Sequence, residues 1–137
     1  MTKDDVLEFL RSKRLGVIAT ADPSGAPEAA LVGFAVATDG RLIFDTSANS
    51  RKAANLAGRP EVAMVVGWDD DITVQIEGVA RRASGGDLAT AKTAYFAVWP
   101  DGRARETWPD IAYIVVTPHW LRYSDFSTGA QSVDFRL

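Results

Sequence analysis

A hydroxyl and two cations, Ser50, Arg51 and Lys52, follow one another at the start of a short helix-like segment, just after the strand-like segment RLIF. A helix start exposes unpaired backbone N–H groups and the positive end of the helix dipole. Hydroxyls and cations added there make an anion-binding site, and phosphate is the most obvious ligand. The alternative is that Ser50 or Ser47 only caps the helix while the two cations are solvated.

Other kinds of catalytic or metal site find little support in the sequence. Hydrolysis by a Ser/His/Asp arrangement needs a histidine, and the single one, His119, lies between Pro118 and Trp120 in a chain without G-x-S-x-G. One histidine and no cysteine do not make a zinc site. The aspartates at 69–71 offer ligands for a divalent cation, but hairpin turns normally carry solvated aspartates. We therefore predict no metal site and name no catalytic residue.

The familiar phosphate-binding loops are absent as well. Neither G-x-G-x-x-G nor G-x-x-x-x-G-K-[ST] occurs, so an anion at Arg51 and Lys52 has to be held in another way. Four tryptophans, at positions 68, 99, 108 and 120, are many for a chain of this length. Their flat rings suit the walls of a pocket for a flat ligand, although each ring also suits a core or an interface.

The composition predicts one globular domain over residues 1–137. With 47% hydrophobic residues the chain can bury a proper core. The formal charge of −3 and the lack of a basic run argue against nucleic acid or an anionic membrane as the main partner. The opening MTKDDVLEFLRSKR is charged throughout and no apolar stretch is long enough to span a bilayer, so we expect a soluble, cytoplasmic protein.

Apolar spacing and turn residues predict the elements that position these groups. A first helix capped by Thr2 precedes strands separated by the turns DPSG and TDG, which is typical of an antiparallel meander. A short helix ends near Gly58, two further strands follow, and a third helix capped by Asp87 is stopped by Pro100. The segment IAYIVVTPHWLRYSDF predicts a strand that is broken at Pro118 and then continues.

Several strands carry consecutive apolar residues, such as Val62 to Val66, which indicates that both faces of the sheet are covered. A barrel buries the inner face, and something else has to cover the outer one. The predicted fold is mainly β (α+β), a small antiparallel barrel of six to seven strands with short flanking helices.

The order of elements and the residues themselves resemble the pyridoxamine 5′-phosphate oxidase-like split-barrel family of flavin-binding proteins. The resemblance runs from GVIATADPSGAPEAALVGFAV through LIFDTSANSRKAANLAGRPEVAMVVGW and VQIEGVARRAS to YFAVWP. It implies a split barrel that binds FMN, with the phosphate held by Thr46, Ser50, Arg51 and Lys52.

The resemblance also implies which residues meet the rest of the flavin. The backbone of the second strand is expected to face the isoalloxazine ring, and Gln75 shares a strand face with Thr73, which replaces a flavin-contacting glutamine. Family members are typically homodimers with the flavin between the subunits, so Trp120 is expected to contribute from a partner chain. The implied cofactor-binding residues are Leu31, Val32, Gly33, Asp45, Thr46, Ser50, Arg51, Lys52, Gln75 and Trp120.

Several positions depart from those of the true oxidases. Ala30 and Ala35 stand where the family has a phosphate-binding arginine and a substrate-binding lysine. Tyr95 matches a tyrosine for the substrate phosphate, but Trp99 and Arg103 replace the arginine and serine that follow it, and the C-terminal Arg-x-His signature is absent. Oxidation of pyridoxine 5′-phosphate is therefore not expected.

Three functions are open at this point. The first is an FMN-dependent oxidoreductase of unassigned substrate, in which the cofactor carries the redox chemistry. The second is a reductase of the same fold that uses the deazaflavin F420. The third is a non-catalytic flavin-binding or stress protein, which the missing cations at Ala30 and Ala35 favour. For the flavin-dependent enzyme we expect a homodimer with the cofactor at the subunit interface and a small-molecule substrate.

Overall fold

An antiparallel sheet of eight strands dominates the computed structural model, which describes residues 1–137. The strands are β1 (Leu15–Ala21), β2 (Pro27–Gly33), β3 (Ala35–Val36), β4 (Leu42–Ser47), β5 (Glu61–Val66), β6 (Ile72–Arg82), β7 (Ile111–Asp125) and β8 (Gln131–Arg136). They pair in the order β2-β1-β5-β6-β7-β4-β3, and β8 joins the second half of β7. The sheet curls into a half-barrel, so the predicted mainly β split barrel is confirmed, with eight strands instead of six or seven.

Three short helices flank the sheet, and two of them begin where the sequence predicts. They are α1 (Lys3–Arg11), α2 (Arg51–Gly58) and α3 (Gly86–Val98), the last followed by a 3₁₀ helix (Pro100–Arg105). Thr2 caps α1 in a reciprocal arrangement, since its hydroxyl accepts from the Asp5 N–H at 3.2 Å and the Asp5 carboxylate accepts from the Thr2 N–H at 2.7 Å. Ser50 caps α2. None of the helices combines the length and apolar character needed to cross a membrane.

The predicted cap of α3 by Asp87 is wrong. The helix begins at Gly86 and its N-cap is Gly85 at φ 58°, so Asp87 already lies in the first turn. Glycine tolerates this left-handed backbone without strain, and no side-chain cap is made. The Asp87 carboxylate instead accepts from Arg41 at 3.2 Å and from Arg81 on β6. Two ion pairs therefore connect the first turn of α3 to Arg41 and to β6.

The predicted break at Pro118 is also wrong, because β7 runs through it as one strand with a β-bulge. Gly78 of β6 pairs with Pro118, whereas the preceding residue Glu77 pairs with Trp120, so His119 is the extra residue. A bulge accommodates a proline, which has no N–H to give to the ladder. A Cβ on Gly78 would lie 2.5 Å from the Thr117 carbonyl oxygen, so the close approach there requires glycine.

Two apolar clusters hold the fold together on opposite sides of β4. The larger cluster fills the half-barrel and includes the fully buried Phe34 and Phe44. The smaller one lies between α3 and the other face of β4 and β7, around Tyr95 and Tyr113. Successive side chains of a strand point to opposite faces, so residues that are neighbours in β4 serve different sides of the sheet.

The outer face of the sheet over β1, β2 and β5 has no cover from the chain itself. In β5 the side chains of Val62, Met64 and Val66 are buried, whereas Val65 is 40% exposed. Leu31 of β2 is 60% exposed. The chain therefore covers the inner of the two apolar faces that the sequence predicts and leaves the outer face to solvent or to a partner.

Candidate functional site

The hydroxyls of Thr46 and Ser50 meet where β4 leads into α2. The Thr46 Oγ1 donates to Ser50 Oγ at 3.0 Å, and Ser50 Oγ accepts from the Ala53 N–H at 3.2 Å. Ser50 is thus a helix cap, as the simpler interpretation of the sequence has it. A cap uses only one of the N–H donors at the helix start, so an anion can still bind to the others.

Arg51 and Lys52 line a cleft of about 310 Å³ between the start of α2 and the first part of β2. Thr20 of β1 and Ala29 and Ala30 of β2 also line this cleft. The side chain of Arg51 is 78% exposed, so its guanidinium is accessible from solvent. Two cations therefore lie beside the edge strand β2, in a cleft that can receive a phosphate.

Glu28 brings a carboxylate into this cleft. It forms an ion pair with Arg51, and its Oε1 accepts from Asn55 Nδ2 at 2.8 Å. The same Asn55 amide donates to Thr20 Oγ1 at 3.0 Å. The Arg51 guanidinium, helped by the Asn55 amide, holds the pKa of the Glu28 carboxyl below its usual value. A polar network therefore joins β1, β2 and α2 beneath the predicted anion site.

Sequence reasoning misses the three residues Thr20, Glu28 and Asn55. Glu28 is the one charged residue in the strand PEAALVG, and Asn55 lies four residues after Arg51, on the same side of a helix. Those two signals identify candidates, but only the packing of α2 against β1 and β2 brings them together.

Asp45, which is also among the predicted cofactor-binding residues, lies apart from the four predicted phosphate residues. It faces the side of β4 opposite to Thr46, where its carboxylate accepts from the Tyr95 hydroxyl at 3.1 Å and from Arg105 Nε at 2.8 Å. Burial, followed by the charge of Asp45, raises the pKa of Tyr95 to about 12. The Tyr95 phenol is buried and already bonded, so it is not presented to a substrate phosphate.

Trp99 covers the end of β2. Its Nε1 donates to the Phe34 carbonyl at 3.0 Å, and a Cβ on Gly33 would lie 2.7 Å from its ring. The Arg14 guanidinium stacks 4.4 Å above the same ring. Gly33 is therefore packed against an aromatic ring of its own chain. Arg103 is the other residue that departs from the true oxidases, and its guanidinium carbon lies 4.7 Å from the centroid of the Phe96 ring.

The remaining predicted cofactor residues lie on β2 and on the outer face. Cross-strand pairing aligns Leu31, Val17, Val65, Gln75 and Arg122 in one row across five strands. The next row contains Ala29 and ends near Trp120, which lies opposite Glu77. Val32 points the other way and is buried in the core. Leu31, Gln75 and Trp120 thus share a face, but within one chain Gln75 and Trp120 lie several strands away from the cleft.

The aspartates at 69–71 and His119 form no metal centre. No three histidine, aspartate or glutamate side chains lie together in a way that could hold a metal ion. Asp70 pairs with Lys13 at 3.4 Å, and His119 is exposed on the bulge of β7.

The cleft fits the phosphate end of a flavin nucleotide in charge and in donor type. Arg51 offers a guanidinium fork, Lys52 offers an ammonium group, and the start of α2 offers backbone N–H groups. The carboxylate of Glu28 offsets one of the two positive charges. The site is therefore a weaker anion site than a pair of cations alone would make.

This chain resembles known proteins both in sequence and in fold. A pyridoxine/pyridoxamine 5′-phosphate oxidase from Rubrobacter xylanophilus is 32% identical over 93 residues, which are 67% of this chain and 41% of that protein. The chain thus spans about two-fifths of the length of that relative. Among solved structures, a heme binding protein from Mycobacterium smegmatis has a TM-score of 0.82 at 21% identity and covers 94% of this chain and 56% of its own.

A second solved structure matches over its full length. The General Stress Protein 26 from Bacillus anthracis has a TM-score of 0.74 at 19% identity and covers 100% of both chains. At such identities the likeness is one of fold. The family model described as pyridoxamine 5′-phosphate oxidase matches residues 2–125. With nearly the whole chain inside that match, this protein belongs to the pyridoxamine 5′-phosphate oxidase family.

Proposed function

We propose that this protein binds FMN with the cofactor phosphate at the start of α2 and acts as a flavin-dependent oxidoreductase on a small molecule. The observation that carries the proposal is the cleft in which Arg51 and Lys52 lie beside the Ser50-capped helix start and the edge strand β2. Arg51 would hold two phosphate oxygens with its fork, and Lys52 would add a point charge. The exposed residues Pro27, Ala29 and Leu31 of β2 would give a flat ring a surface to lie along.

A bound flavin supplies the hydride-transfer chemistry, and the chain supplies binding and orientation. No histidine or carboxylate of the cleft stands out as a general acid or base, since Glu28 is committed to Arg51 and His119 lies on another part of the sheet. Pyridoxine 5′-phosphate is not the substrate we propose, because the Tyr95 phenol is buried against Asp45 and Trp99 is packed against Gly33.

The proposal includes a homodimer in which a second copy covers the outer face. Leu31, Val17 and Val65 form an apolar row there that one chain leaves open. Covering such a row removes apolar area from water, which is worth about 25 cal/mol per Å². A second copy on this face would also bring Gln75 and Trp120 of the partner subunit toward the flavin, which their position in the same chain does not allow.

Two alternatives rest on specific features. F420 has a phosphate and a flavin-like tricycle, so it would need a binding surface similar to that for FMN. A non-catalytic role is supported by the reduced positive charge of the cleft, and the full-length similarity to a protein named a general stress protein accords with it. The name of the Mycobacterium smegmatis protein makes haem a third ligand to test.

One experiment separates the three candidate ligands. The protein is purified without added cofactor, unfolded to release any chromophore, and the chromophore is identified by absorbance and mass. We expect FMN, or, where no chromophore co-purifies, restoration of a yellow protein when FMN is added to the apo-protein. Release of F420 or haem supports the corresponding alternative. A protein that binds none of the three under either condition contradicts the proposed function.

A further inference from the structure

Glu28 is a charged residue on the inner side of β2, where the alternate positions Ala30 and Val32 are apolar. Its side chain is only 19% exposed. Asn55, itself buried, holds one carboxylate oxygen at 2.8 Å and is anchored in turn by Thr20 at 3.0 Å. The other oxygen pairs with Arg51. The carboxylate is therefore oriented toward the arginine by buried partners.

The ion pair with Glu28 engages Arg51, which is one of the two cations proposed to bind the cofactor phosphate. Only two cationic side chains, Arg51 and Lys52, line the cleft, and Glu28 neutralises one of them. A phosphate that arrives at the start of α2 meets an arginine already bonded to a carboxylate, and it meets that carboxylate as a like charge. Like charges a few Å apart raise the free energy of the complex by an amount that depends on local solvent screening.

We infer that Glu28 is an internal competitor of the cofactor phosphate for Arg51 and thereby sets the affinity of the site for phosphate-bearing ligands. The inference rests on the proposed function, because it concerns the same cleft. Binding of the phosphate displaces the Glu28 carboxylate from Arg51 or forces both anions to share it. Ligands without a phosphate do not contact Arg51, so their affinity does not depend on Glu28.

A purely structural role of Glu28 makes a different prediction. If Glu28 only ties β2 to α2, its replacement changes the stability of the fold and affects all ligands of the cleft alike. The competitor role affects FMN and spares riboflavin, which has the same ring and ribityl chain without the phosphate. Glu28→Gln is the suitable variant, because glutamine removes the charge and keeps an oxygen that can accept from the Asn55 amide.

The test is a titration of apo-protein with FMN and with riboflavin, followed by flavin fluorescence, for wild type, Glu28→Gln and the control Glu61→Gln. Glu61 is an exposed glutamate on β5. We expect Glu28→Gln to bind FMN about two- to fivefold more tightly, in keeping with the small net contribution of a solvent-screened ion pair. Riboflavin binding is expected to stay unchanged, and Glu61→Gln is expected to behave as wild type.

Each outcome bears on the inference. Unchanged or weaker FMN binding by a folded Glu28→Gln overturns it, as does an equal gain for riboflavin. Wild type that binds neither flavin contradicts the proposed function separately. In that case inorganic phosphate, followed by the NMR shift of the Lys52 amide, is the probe. Tighter phosphate binding by Glu28→Gln then supports the competitor role, and equal or absent binding in both proteins overturns it.

Discussion

Two buried phenols, Tyr95 and Tyr113, lie side by side in the smaller apolar cluster, with ring centroids 6.3 Å apart. The Tyr95 hydroxyl donates to Asp45 and accepts from Arg105 at 3.3 Å. The Tyr113 hydroxyl is buried without any hydrogen-bond partner. The two side chains therefore have similar surroundings for their rings and opposite surroundings for their hydroxyls.

Removal of each hydroxyl should have opposite effects on stability. Tyr95→Phe loses two hydrogen bonds and leaves Asp45 with fewer donors, so we expect the free energy of unfolding to fall by about 1–2 kcal/mol. Tyr113→Phe removes an unsatisfied polar group, so we expect no loss or a small gain. Denaturant unfolding of the two variants and wild type measures the difference. Equal destabilisation by both variants would show that the Tyr113 hydroxyl has a partner.

Single residues were predictable where their partners are close in sequence. The caps Thr2 and Ser50 bond to residues three positions away, and a local pattern is enough to identify them. The Glu28 carboxylate and Arg51 are 23 positions apart, and they meet only because α2 packs against the β1–β2 hairpin. The same limit explains Asp45, whose partners on α3 and on the 3₁₀ helix no local pattern connects to it.

At the scale of elements, the bulge between β6 and β7 is the feature that depends most on one residue. Pairing shifts by one position between Glu77 and Gly78, and the strand β7 continues through Pro118 because of that shift. The shift requires the two backbones to approach closely at Gly78.

Alanine at this position should therefore be costly. Gly78→Ala places a methyl group 2.5 Å from the Thr117 carbonyl oxygen, so the backbone must move. We expect a loss of about 1–3 kcal/mol in the free energy of unfolding, as for other overpacked sites. Gly86→Ala, in the first turn of α3 with no atom near the added methyl group, is the control and should be neutral or stabilising. Equal thermal midpoints for Gly78→Ala and wild type would rule out the close approach.

Elements were predictable where apolar periodicity is strong and less so at the sheet margins. β8 escaped prediction because its residues alternate weakly and most are exposed, so its pairing with β7 is a property of the assembled sheet. The predicted break at Pro118 rested on the restricted backbone of the residue before a proline, and the bulge allows the strand to continue past that point.

At the scale of the whole molecule, the open apolar face on β1, β2 and β5 is the part that a single chain does not explain. We expect light scattering at micromolar concentration to report a dimer. Leu31→Glu, which puts a charge on this face, should shift the protein toward monomer without unfolding it. The control is Val133→Glu, which changes another exposed apolar residue, on β8, and should leave the dimer intact. A stable wild-type monomer would contradict the proposed interface.

The family and the barrel were predictable from sequence because the order of turns, strands and the SRK stretch extends over most of the chain. The balance of charges inside the cleft was not predictable from sequence, because it arises from residues on β1, β2 and α2 that meet only in the folded molecule. Ala30 stands where the resemblance implies a phosphate-binding arginine, which predicts a weakened phosphate site, and the ion pair of Glu28 with Arg51 is a second reason to expect weakening that only the folded structure reveals.

The central claim is that Arg51 and Lys52 bind the cofactor phosphate, and titration of apo-protein with FMN tests it most directly. We expect Arg51→Ala to weaken FMN binding roughly 10- to 100-fold, because it removes a charge-assisted contact worth about 1.5–3 kcal/mol and leaves the Glu28 charge unpaired. Arg51→Lys should recover part of this, Lys52→Ala should weaken binding, and Arg82→Ala, outside the cleft, should not. Equal weakening by Arg82→Ala, or unchanged FMN binding in all folded variants, would contradict the assignment.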